Sequence, residues 1–302
     1  MNKKRFIIGV AASFMILTST AAVPGLSHGA SDSPPPAATY GPFAKNGETL
    51  LPLEKNIELK EYQVSDEYEI NYIRKTLGDE YADRLKHRHT TPLAVSDAAK
   101  DLQFTTSTNG NWGGYIVTPT STPKGVGGSF KVPTDSNGLV APWTGVGGFT
   151  GSQLVQTGVL AGTNSTVITK PLAWTEALPA APIYWFEVNP GDQMYSSVSY
   201  DADTSKWNLL IQDTTTGDYY ATQYTYSPAA SAEWVIEGLG SNNIGNFTVN
   251  FTGAFWNDSS WNFRNIDYDT SRLYKSTLTS PSGQNSNAPS SITGGSSFSI
   301  SR

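Results

Sequence analysis

A glutamine and two glutamates stand in two short apolar runs of this 302-residue chain, Leu154-Val155-Gln156-Thr157-Gly158 and Ala232-Glu233-Trp234-Val235-Ile236-Glu237. Runs so rich in β-branched and aromatic residues read as strands, whose successive side chains point to opposite faces. Glu233, Val235 and Glu237 then share one face, while Trp234 and Ile236 anchor the strand in a core. Gln156 shares its face with Leu154. A carboxyl group held on a concave sheet face can take up and return a proton, a role worth about 10²- to 10⁴-fold in rate. On residue type alone, a strand Glu is more often a solvated or paired surface group, and a strand Gln more so.

Other catalytic chemistry is closed to this region. The three histidines, His28, His87 and His89, all lie in the first third of the chain, and cysteine is absent. Beyond residue 107 the chain therefore has no Ser-His or Cys-His dyad, no histidine-ligated zinc and no imidazole base, so acid-base work falls to carboxyls. Scattered aspartates such as Asp267 and Asp269 lack calcium-type spacing, so no metal or other cofactor is expected.

The elements that must position these residues are strands. From Asn111 onward, short runs of Val, Ile, Thr, Tyr, Phe and Trp recur between Gly, Pro, Asn and Asp clusters, at residues 112–118, 128–132, 153–160, 166–176, 183–188, 194–200, 207–212, 219–226, 232–237 and 247–256. Such spacing predicts an all-β, antiparallel sandwich or barrel. A hairpin turn is expected at residues 212–219, with Gly217 free to take positive φ. All eight tryptophans (112, 143, 174, 185, 207, 234, 256 and 261) fall in this part, and five or six of them are expected simply to fill the core. Trp112 and Trp143 adjoin Gly-rich turns, where they can line a groove. The tail from Ser276 reads as a final strand with a loose end.

The first third is organised differently. Lys3, Lys4 and Arg5 precede an apolar run from Phe6 to Leu17 and then small residues, the layout of a signal peptide, expected at residues 1–30 and too short to span a membrane. Secretion to the extracellular space follows. Residues 1–107 carry a net charge of −1 and residues 108–302 one of −5. Ile70, Ile73, Leu77, Tyr81 and Leu85 form one helical stripe. Residues 31–107 read either as a linker or stalk or, since a helical stripe is a face to bury and a linker has none, as a partly helical propeptide that folds against the domain at 108–302, with self-cleavage expected between residues 102 and 109. The net charge of −6 argues against nucleic acid as a partner.

The two Gln and Glu runs, with Asn111-Trp112-Gly113-Gly114 ahead of them, resemble the glutamic peptidases called eqolisins, pepstatin-insensitive acid peptidases. Lys131-Val132-Pro133, Trp143-Thr144-Gly145-Val146-Gly147-Gly148, Ala173-Trp174-Thr175-Glu176, Pro190-Gly191-Asp192 and Thr215-Thr216-Gly217 follow in the family's order. The resemblance implies a jelly-roll-like sandwich of two bent seven-stranded sheets, and secretion as a zymogen inhibited by its own propeptide. It also implies a monomeric endopeptidase acting on polypeptides at acid pH. The catalytic pair falls on Gln156 and Glu237, with Glu237 activating water and Gln156 stabilising the oxyanion. Trp112, Trp143, Trp174 and Glu176 fall at substrate-binding places. Departures are Gly147 and Leu160 where fungal members have aspartates, and Ala177 where they have an aromatic residue; the absence of disulfides and the Lys-Lys-Arg start suit a bacterial branch. Two rival readings remain open at this point. One is a jelly-roll glycoside hydrolase using Glu176 and Glu237, about 5 to 5.5 Å apart if retaining. The other is a non-catalytic carbohydrate-binding module.

Overall fold

A computed structural model describes residues 44–45, 48–49, 87–100, 102, 104, 111–134, 138–162, 167–202, 204–239, 246–279 and 286–302. The signal-peptide region and the helical stripe from Ile70 to Leu85 lie outside the described residues.

Fifteen strands build two sheets: β1 (His87–Arg88), β2 (Trp112–Val117), β3 (Gly125–Lys131), β4 (Leu139–Gly147), β5 (Leu154–Leu160), β6 (Leu172–Ala177), β7 (Ile183–Glu187), β8 (Gln193–Asp201), β9 (Lys206–Asp213), β10 (Asp218–Tyr224), β11 (Ala232–Leu239), β12 (Thr248–Asn257), β13 (Phe263–Asn265), β14 (Leu273–Ser276) and β15 (Phe298–Ser301). The seven-stranded sheet runs β14-β2-β11-β4-β5-β6-β7. The eight-stranded sheet runs β13-β12-β3-β8-β9-β10-β1, with β15 also pairing β12. Every pairing is antiparallel except that of β1 with β10.

The two expected antiparallel sheets are thus present, one of seven strands and the other of eight. β1 comes from the stretch read as propeptide and covers the free edge of β10, where His89 N–H donates to Tyr219 O at 2.9 Å. An uncovered edge leaves backbone groups unpaired, and this two-residue strand closes part of it. The tail's final strand is present as expected, but its end is not loose. β15 pairs β12 through Ser301, and the Arg302 N–H donates to Phe247 O at 2.9 Å, so the end is tied down. The strand expected at 166–176 is shorter, β6 alone.

The core between the sheets follows from alternation along the strands. Val155 and Val159 of β5, Trp234 and Ile236 of β11, and Val140 and Val146 of β4 meet Val126, Phe130, Val198 and Ile211 from the other sheet. Four tryptophans lie here, Trp185, Trp207, Trp234 and Trp256, and Trp112, Trp143 and Trp174 are buried in a second cluster on the other face of the seven-stranded sheet, so seven are buried where five or six were expected. Trp234 Nε1 donates to Gly127 O at 2.9 Å, and Trp185 stacks on Tyr220 at 3.3 Å. The Gly217 turn is as expected, with φ +90° and its N–H donating to Asp213 O at 2.8 Å. Among the described residues no helix is long and apolar enough to cross a membrane.

Candidate active site

The other face of the seven-stranded sheet carries the chemistry. Trp112 of β2, Trp143 of β4, Gln156 of β5, Trp174 and Glu176 of β6, and Glu233 and Glu237 of β11 all alternate away from the intersheet core. Register orders them in rows. Glu176 is opposite Gln156, Gln156 opposite Gly145, and Gly145 opposite Glu233. Trp174 is opposite Gly158, which is opposite Trp143. Glu237 lies between Trp112 and Ala141.

The glycines in these rows keep the floor open. A Cβ on Gly158 would come within 2.3 Å of Pro142 O and 2.5 Å of Trp143 Cβ, so β4 and β5 approach only because no side chain is there. A Cβ on Gly145 would sit 3.0 Å from Gln156 Cβ and Trp143 Cζ3. Gly147 has φ +97°, and a Cβ there would strike Gln153 O, so a side chain at this position is strained.

Polar contacts tie the predicted residues together. Gln156 Nε2 donates to Glu176 Oε2 at 2.6 Å, and Asn111 Nδ2 donates to Glu237 Oε1 at 2.9 Å. Trp112 meets Trp143 edge to face, with centroids 4.8 Å apart. Gln156 and Glu237 are fully buried and Glu176 is 1% exposed. Among the described residues, Gln156 Oε1, Glu176 Oε1, Trp143 Nε1 and Trp174 Nε1 are buried without a hydrogen-bond partner. Leaving such atoms bare costs about 1–3 kcal/mol each. Several such atoms on one face mark it as polar chemistry held at a cost in stability, unlike the intersheet core.

Burial pushes the Glu176 carboxyl up to about 9, against the opposing hydrogen bond from Gln156 and with help from the charge of Glu237. Glu233, deeper on the same face, is likewise raised well above the ordinary value by burial. The Tyr184 hydroxyl is raised by burial and by the Glu176 charge. Glu176 is thus a neutral acid near Glu237, an arrangement in which neighbouring carboxyls take different protonation states. Among the described residues no group of three or more His, Cys, Asp or Glu is placed to hold a metal ion.

The face is covered by the chain's own earlier residues. Ala99 and Phe104 are buried in one apolar cluster with Trp112, Trp143, Leu160, Leu172, Trp174 and Tyr184. Ser96 caps the short helix α1 (Asp97–Lys100), its Oγ accepting from Ala99 N–H at 3.2 Å, and donates to Val167 O at 2.8 Å. Phe104, Asn111, Tyr184 and Glu233 had been given no role from sequence. Asn111 and Glu233 stood inside the quoted motifs, whereas nothing near Phe104 or Tyr184 signalled the contact.

Fold and site together define a β-sandwich with buried carboxyl groups on one face of its seven-stranded sheet. The model of the Peptidase A4 family matches residues 110–302, and the chain belongs to that family, the eqolisins, which makes it a glutamic endopeptidase. Among solved structures it is similar to scytalido-glutamic peptidase with a peptide-based transition state analog, at 22% identity and TM-score 0.52, covering 64% of this chain and 98% of that one. It is also similar to SCP-B, an eqolisin in complex with the tripeptide Ala-Ile-His, at 21% identity and TM-score 0.50, with the same coverage. These likenesses establish the shared sandwich. No match was found among curated protein sequences. Family membership leaves the two carbohydrate readings without support.

Proposed function

We propose that the chain is a secreted, monomeric acid endopeptidase precursor in which Glu237 and Gln156 form the catalytic pair and the residues before 108 act as inhibitor. The observation that carries this reading is the burial of Gln156, Glu176 and Glu237 on one tryptophan-lined face against which Leu93, Val95, Ala99, Leu102 and Phe104 pack. Glu237 as carboxylate takes a proton from water while the water oxygen bonds to the scissile carbonyl carbon. The carbonyl oxygen becomes negative and receives an N–H of Gln156, one of whose two amide hydrogens is oriented by Glu176. The C–N bond then breaks, and Glu237 returns its proton to the leaving amine. Asn111 fixes the Glu237 carboxylate through its 2.9 Å bond.

The cycle alternates a carboxylate with its acid, forms that interconvert near a pKa of about 4.3 for an ordinary glutamate, which favours acid pH. Glu176, holding its proton to about 9, keeps a second negative charge away from the developing oxyanion. The test is proteolysis of an unfolded protein at acid pH by the full chain and by Gln156→Ala and Glu237→Gln. Loss of cleavage in both variants supports the pair, and unchanged cleavage in either removes it.

A further inference from the structure

We infer that the pocket over Trp174 is a subsite for a large aromatic side chain of the substrate, and that Phe104 is its resident in the precursor. The inference rests on the endopeptidase reading and goes further, to side-chain selectivity. Phe104 lies face to face on Trp174, with centroids 4.0 Å apart and planes 20° from parallel, and is 1% exposed. A flat ring matched to an indole face is the occupant such a platform prefers.

The pocket's walls are apolar. Leu160, Ile168, Leu172 and Tyr184 belong to the same buried cluster. The pocket also adjoins the chemistry: Trp174 is two residues before Glu176 on the same face of β6, and Glu176 holds Gln156. An aromatic side chain in it brings the neighbouring peptide bond toward the Gln156 amide.

Phe104 reaches the pocket as part of a segment bound much as a peptide would be. Leu93 N–H donates to Tyr184 O at 2.8 Å, Tyr184 Oη donates to Ala99 O at 3.1 Å, and Ser96 Oγ donates to Val167 O at 2.8 Å. The deeply inserted ring is an occupant that the sheet can exchange for a substrate side chain of the same kind.

The experiment compares the full chain with its Phe104→Ala variant on peptide pairs differing only in Phe against Ala at one position. The expected result is an initial rate on the Phe peptide at least about tenfold higher for Phe104→Ala, and a preference for Phe over Ala on the order of 10²-fold. Trp174→Leu should shrink that preference to below about tenfold. A binding arm uses the Phe104→Ala, Glu237→Gln double variant with the same peptides in a calorimeter, where the Phe peptide should bind more tightly by a similar factor. Cleavage without aromatic preference, together with equal binding, overturns the subsite while leaving the endopeptidase reading intact. No cleavage by any form, with aromatic-selective binding, upholds the subsite and overturns the endopeptidase reading. A rate unchanged by Phe104→Ala overturns the residency of Phe104.

Discussion

The two faces of the seven-stranded sheet are buried to the same degree and built for opposite ends. On the inner face Trp234 donates its N–H to Gly127 O and packs among Val, Ile and Phe. On the outer face Trp143 and Trp174 keep N–H groups without partners among the described residues, and Gln156, Glu176, Glu233 and Glu237 are buried on the same face. A satisfied apolar face stabilises a fold. A face with unsatisfied polar atoms and raised carboxyls gives up stability, and such faces are where function is found.

The comparison breaks most sharply at the catalytic pair. Glu237→Gln and Gln156→Ala should each lower proteolysis by about 10²- to 10⁴-fold, with far-ultraviolet circular dichroism unchanged, because neither residue belongs to the intersheet core. The mirror-image substitution is Trp234→Ala, which should cost about 3–5 kcal/mol in urea unfolding by leaving a cavity between the sheets.

The pH dependence of stability sharpens the contrast further. Folded Glu176 keeps its proton to about 9 and Asp213 to about 6, whereas the unfolded chain releases them near 4.5 and 3.8. Unfolding therefore releases protons above those lower values, and stability falls as pH rises, for Asp213 up to about 6 and for Glu176 up to about 9. The thermal midpoint should be higher at pH 4 than at pH 7, and Glu176→Gln should flatten that slope in scanning calorimetry. A midpoint that rises from pH 4 to pH 7 would count against the buried neutral acid. The smallest expected effect is that of Gly145→Ala, whose Cβ would press on Gln156 and Trp143 at 3.0 Å. It should reduce hydrolysis by several-fold while shifting the urea midpoint little.

Much of the inner face was legible in the sequence, and part of the outer one. Alternation in residues 154–158 and 232–237 placed Gln156 and Glu237 away from the core, because a period of two depends on nothing beyond the strand itself. The pairing of Gln156 with Glu176 was not legible, since it depends on the register that β6 takes after the connection from β5. Nor was the docking of Phe104 on Trp174, a contact between residues 70 positions apart in which neither local pattern names the other. β1 has two residues, too few for any periodicity, and so the eighth strand escaped notice. Gly147 was legible as a departure from the family, but its reason, a positive φ against Gln153 O, needed the fold.

The measurement that bears most directly on the account is hydrolysis of an unfolded protein from pH 2 to 7 by the full chain, beside Gln156→Ala and Glu237→Gln, with pepstatin present throughout. Pepstatin-resistant cleavage at acid pH that vanishes in both variants is the expected result. Cleavage that survives in either variant, or that appears only near neutral pH, would contradict the assignment of the buried outer face as the catalytic one.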